Sequence, residues 1–208
     1  MRNENEITLI EYLLSEEDPM HLGVQAVSLV FNPANKSHAV MMSESNDTFF
    51  KATDSEERIV KGLFVKAGTP FKQKFGGGKL SKIEAPTIKK MRDRFHASGA
   101  DKKVTINHER EDGKPVYQDD CHVVESYIVT NEFDVASLKQ QGIKDANIGD
   151  WVLGVKVTQE IWDNDVKSGD IEGLSLEGNL PYKAVAASEF DIQMAKAQQL
   201  MKDLFGDG

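Results

Sequence analysis

Cysteine is almost missing from this chain. The one residue, Cys121, excludes an intrachain disulfide and suits a reducing compartment. Long apolar runs are missing too: none approaches the ~20 residues that a membrane helix needs, so no membrane partner is expected. Residues 1–6 are charged and lack a signal-peptide apolar core. Positive charge is in deficit. Lys and Arg number 25 against 34 Asp and Glu, a formal net charge of −9. Such a surface is repelled by phosphate, so nucleic acid is not an expected partner. Metal motifs are absent: there is no C-x-x-C, and His108-Glu109 is followed at position 112 by Asp, so H-E-x-x-H is not formed. No metal and no cofactor are expected. The run Phe75-Gly76-Gly77-Gly78-Lys79 fails as a phosphate loop, because Gln73 and Leu80 stand where Gly and Ser or Thr are required.

What is present is enough for one core: 39% hydrophobic and 28% charged residues in 208. β-type runs are predicted at 24–31, 59–65, 103–107, 122–130, 151–157 and 174–180, with one or two more within 38–51. Helical spacing is clearest over Ala85–Ser98, where Pro86 suits a first turn and Ile88, Met91, Arg92 and Phe95 recur on one side. A short helical turn is expected at 137–141 and helices at 159–168 and 184–205, the last with Ala186, Phe190, Met194, Ala197, Met201 and Leu204 on its apolar face. Many strands, few helices and no regular βαβ alternation predict an α+β, mainly β fold: a closed or partly closed antiparallel β-barrel with peripheral helices. The chain divides into an N-terminal arm over 1–21 (a short helix or a loose segment), a main domain over 22–183 and a C-terminal helix over 184–208.

Chemistry is concentrated in two stretches. Val104-Thr105-Ile106-Asn107-His108-Glu109 ends a strand on a histidine. Ile171-Glu172-Gly173-Leu174-Ser175-Leu176-Glu177-Gly178 places a serine between glycines. Serine is a poor nucleophile until a base removes its proton, and histidine is the usual base. The two residues are 67 positions apart, so only the fold can join them. Gly-x-Ser-x-Gly is not formed, because position 177 is Glu, which excludes an α/β-hydrolase elbow. Cys121 beside His122 is a rival nucleophile pair, although a lone strand cysteine is more often a small buried apolar residue.

Taken in order, several segments resemble one family: VQAVSLV (24–30), VKGLFV (60–65), MRDRF (91–95), VTINHE (104–109), HVVESYIV (122–129), WVLGVK (151–156) and VKSGDIEGLSLEG (166–178). The chain is similar to the tailed-phage prohead maturation proteases of the XkdF type, which are distantly similar to herpesvirus assemblins. The resemblance covers about residues 22–182. It implies an assemblin-like barrel in a protease domain over 22–183. It also implies a serine endopeptidase acting in the host cytoplasm inside the immature prohead, on scaffold or core proteins and on the propeptide of the major capsid protein. A homo-oligomer is compatible with it. The family histidine falls on His108 and its serine on Ser175; the usual small residue two after the serine is Glu177 here.

Assemblins use a second histidine downstream of the serine, and this chain has none after His122. A carboxylate is expected as the third member, or a His108–Ser175 dyad suffices. Glu125 is chosen because it shares a strand face with Val123 and Tyr127, on a strand expected to form a hairpin with the His108 strand. A salt bridge from Glu125 to a base such as Lys156 is the competing role. Asp191, Glu189 and His122 are further candidates for the third member. His108 and Ser175 are expected within hydrogen-bond reach, on adjacent strands.

Overall fold

The computed structural model describes residues 8–31, 50–54, 57–72 and 80–189, together with Asp191, Gln193 and Ala197. The chain is mainly β. In order it forms β1 (Thr8–Tyr12), β2 (Gly23–Val30), β3 (Phe50–Asp54), β4 (Ile59–Val65), β5 (Phe71–Lys72), β6 (Leu80–Ile83), helix α1 (Ala85–Ala97), β7 (Val104–Ile106), β8 (Arg110–Glu111), β9 (Lys114–Pro115), β10 (His122–Ile128), helix α2 (Glu132–Gln140), β11 (Trp151–Lys156), helix α3 (Gln159–Ile161, continued by a π turn at Trp162–Val166), β12 (Gly173–Asn179) and β13 (Tyr182–Ala186).

The strands form four sheets, of order β13-β1-β6-β5, β10-β11-β4-β3, β12-β2-β7 and β8-β9. Among the described residues no sheet closes on itself, so the expected closed antiparallel barrel is not formed there. Two of the described pairings are parallel, β1 with β6 and β2 with β7. Each joins strands separated by a long stretch of chain, which a hairpin-built barrel does not require.

β2 and β4 are central strands. Seven of the eight residues of β2 are buried, and all seven of β4. That explains why both read as near-continuous apolar runs rather than alternating ones. α1 lays Ile88, Met91 and Phe95 onto the main core, where the Phe95 and Phe64 rings each meet Trp151 edge-on. α2 covers the opposite face of the β11–β4 pair, packing Val135 and Leu138 with Leu63 and Val152. The β11–β4 pair thus buries apolar side chains on both faces.

Several predicted elements change identity. The 1–21 segment, read as helix or loose arm, contributes β1, paired on both sides with β13 and β6. The helix expected from 184 gives way to β13, which ends at Ala186; helical backbone begins at Glu189. Strand pairing with β1 overrides the apolar helical spacing there, because backbone groups of both strands are satisfied at once. The turn at 137–141 is part of the longer α2, whose Asn131 caps the N–H groups of Phe133 and Asp134. Phe75–Lys79, most of 38–51, and Phe190, Met194, Met201 and Leu204 lie outside the described residues. No described helix is long and apolar enough to cross a membrane.

Candidate active site

The three-stranded sheet β12-β2-β7 builds the site. Ser175 pairs in register with Ser28, and Ser28 with Thr105. Three hydroxyl side chains therefore lie in one row across three strands. Strand alternation puts Glu177 on the same face as Ser175, two residues on. Past Glu177 the register shifts, and Gly178 comes so close to the Gly23 carbonyl that a side chain there is impossible. A glycine is required at that bulge.

His108 arrives from the end of β7. Asn107 and His108 both adopt left-handed backbone, at φ 51° and 58°. This costs about 1–2 kcal/mol for a residue with a Cβ, and asparagine tolerates it better than most. The turn is tied down by four hydrogen bonds. The Asn107 N–H donates to the Leu29 carbonyl (2.8 Å), the His108 N–H to Ser28 Oγ (2.9 Å), the Glu109 N–H to the Ile106 carbonyl (2.9 Å), and the Phe31 N–H to Asn107 Oδ1 (3.3 Å). The turn swings the imidazole back over the sheet. Its Nε2 lies 3.0 Å from Ser175 Oγ, and its Nδ1 lies 3.4 Å from Glu177 Oε1.

Glu177 is buried, while His108 and Ser175 are half-buried. Thr105 Oγ1 donates to Glu177 Oε1, and the Arg110 guanidinium stands 3.5 Å from Oε2. Burial pushes the Glu177 carboxyl up. The His108 and Thr105 hydrogen bonds, with the His108 and Arg110 charges, outweigh it and hold the group below the ordinary glutamate range. An ionised carboxylate only accepts, so the Nδ1 facing it carries a proton. In the neutral ring Nε2 is then the lone pair, and the Ser175 hydroxyl donates to it. The arrangement is a serine whose proton has a base to go to, and a base whose tautomer is set from behind.

The carboxylate behind His108 is therefore Glu177, not Glu125. The expected hairpin between the His108 strand and the 122–130 strand does not form: β7 pairs with β2 and β10 with β11, while the small β8–β9 hairpin intervenes. Glu125 belongs to a different sheet. It lies across Gly154 in the register row Glu125–Gly154–Lys61, and its carboxylate bonds Lys61 Nζ at 2.6 Å. A Cβ on Gly154 would press on the Glu125 side chain, so the glycine opens the path to Lys61. The expected salt bridge of Glu125 occurs in kind, with Lys61 in place of Lys156.

Asp191, Glu189 and His122 do not reach His108 either. Asp191 is buried, accepts from the Ser188 N–H and hydroxyl (2.9 and 2.6 Å), and lies 3.9 Å from Lys82. Glu189 and His122 are exposed. Cys121 is buried, and desolvation pushes its thiol up, which disfavours the thiolate a nucleophile needs. His108 and Ser175 are not on adjacent strands, since β2 runs between β7 and β12. The sequence reading missed Glu177 as a site residue, although strand alternation, which puts it on the face of Ser175, is a signal that could have found it; nothing in the linear sequence pointed to Thr105, Ser28 or Arg110, whose roles come from cross-strand register.

A family model described as "Putative phage serine protease XkdF" matches residues 47–182, which include His108, Ser175 and Glu177. No curated protein and no solved structure matches the chain.

Proposed function

The chain belongs to this phage serine protease family, and from that premise we propose that it is a serine endopeptidase of capsid assembly with Ser175 as nucleophile, His108 as general base and Glu177 as the carboxylate that orients His108. The observation that carries this reading is the continuous line from Glu177 Oε1 through the His108 ring to Ser175 Oγ.

The chemistry follows from that line. Ser175 Oγ bonds to the scissile carbonyl carbon as its proton passes to His108 Nε2. The imidazolium so formed is stabilised by the Glu177 carboxylate, which stays ionised. The C–N bond then breaks, and His108 returns the proton to the leaving amine. Water repeats the sequence on the acyl-enzyme: its proton goes to Nε2, its oxygen bonds to the carbonyl carbon, the ester bond to Oγ breaks, and Nε2 returns the proton to Oγ, which restores the Ser175 hydroxyl and the neutral ring. The carbonyl oxygen needs hydrogen-bond donors as it gains charge, and backbone N–H groups are the natural suppliers.

The substrates in this reading are scaffold or core proteins and the propeptide of the major capsid protein, cleaved inside the immature prohead. An assemblin-like ancestry of the site belongs to the same reading, with Glu177 taking the place of the second assemblin histidine. The test is co-expression with the neighbouring capsid genes, followed by mapping of new protein termini. Termini that appear with the wild type and vanish with Ser175→Ala support the reading. Assembled capsids with unprocessed proteins in both cases would identify the chain instead as a non-catalytic assembly protein.

A further inference from the structure

The row Ser175–Ser28–Thr105 holds two hydroxyls besides the nucleophile, and both are fully buried. Each is spent on a different partner of Ser175. Thr105 Oγ1 donates to Glu177 Oε1, the same oxygen that faces His108 Nδ1. Ser28 Oγ accepts the His108 N–H at 2.9 Å, at the residue whose left-handed backbone turns the ring over the sheet.

A strand core normally takes apolar side chains at such positions, as Val27 and Leu29 do on either side of Ser28. A buried hydroxyl is costly unless it is hydrogen-bonded. Here each hydroxyl meets a group whose position decides whether proton transfer occurs. Resting on the serine-protease reading, we infer that Thr105 and Ser28 are positioning residues: Thr105 fixes the rotamer of Glu177, and Ser28 fixes the backbone of His108. Neither touches the reacting atoms. The sheet itself thus aligns the base from two sides, and the exposed β8–β9 hairpin supplies only the outer Arg110 contact to Oε2.

The test uses the full chain and a fluorophosphonate reagent, which labels an activated serine without needing the natural substrate. Thr105→Val keeps the side-chain shape and removes the donor; Thr105→Ser keeps the donor. Labelling of Thr105→Val should be slower by ~10–10²-fold, with Thr105→Ser within about threefold of the wild type, because an ångström of misplacement costs rates of that order. Ser28→Ala should be slower by about tenfold on the same ground. The Nδ1 proton resonance of His108 should shift in Thr105→Val and return in Thr105→Ser, a signature that lost packing alone does not produce.

Labelling of Thr105→Val at the wild-type rate, with the wild type reactive and Ser175→Ala inert, would overturn the inference and leave the protease reading standing. A wild type that is not labelled, or a Ser175→Ala variant that is labelled equally, would overturn the protease reading itself. If Thr105→Val does not fold, Ser28→Ala decides: a wild-type rate and an unshifted resonance there overturn the inference.

Discussion

Two sheets of this molecule each hold a glutamate that has a nitrogen partner, and they use it differently. In β10-β11-β4-β3, Glu125 reaches over Gly154 to Lys61, an ammonium-bearing side chain that is itself buried and sits 5.3 Å from the Tyr127 ring centroid. In β12-β2-β7, Glu177 faces His108, a ring that can gain and lose a proton and whose far nitrogen meets a hydroxyl. The first pair neutralises a charge inside a packed sheet. The second leaves the proton of Ser175 a place to go. A carboxylate's role is set by what its partner can do, and not by its burial or by its place on a strand face.

That contrast breaks most sharply at the proposed nucleophile. Ser175→Ala removes one oxygen from a half-buried position. Unfolding free energy should change by under ~1 kcal/mol, while turnover should fall on the order of 10⁶-fold. Retained processing by the folded variant would remove Ser175 from the mechanism.

The two glutamates are compared directly by the same substitution. Glu177→Gln keeps the shape but not the charge, and should lose ~10²–10⁴ in turnover, as when a triad carboxylate is neutralised. Glu125→Gln should leave turnover within about threefold of wild type and lower stability by about 1 kcal/mol, because Lys61 keeps a hydrogen-bond acceptor but loses its counter-charge. Steady-state rates and thermal unfolding of the two variants measure this. Equal loss of turnover in both would erase the distinction.

A smaller effect appears in acid. The Glu177 carboxyl is held below its ordinary range in the folded chain. Its stabilising contribution is therefore complete above the ordinary glutamate value and disappears as pH falls through the depressed folded value. The stability gap between wild type and Glu177→Gln should be widest near neutral pH and close in that acidic window. A gap constant across the window would mean that Glu177 does not titrate with its partners.

Local pattern made much of the framework legible. The strand at 59–65, the helix over Ala85–Ala97 and the strand at 151–156 follow from apolar runs and spacing, because burial of those side chains dominates their local energetics. Where pairing between distant strands decides, local pattern misleads: β1 and β13 satisfy each other's backbone across the whole chain. Glu125 misled for the same reason. Its shared face with Val123 and Tyr127 is a strand property, but which sheet the strand joins is not.

By itself, then, the sequence determined a mainly β chain without disulfides, the histidine and serine stretches, and a family resemblance that named both residues. It also held Glu177 two places from Ser175, since alternation on a strand is a local rule. Only the tertiary structure decided that β2 lies between the two stretches, that Ser28 and Thr105 fall in register with Ser175, and that the left-handed turn at Asn107 and His108 brings the ring onto the carboxylate. Register and sheet membership are set by contacts between residues far apart in the chain, whose free energies no short window of sequence contains.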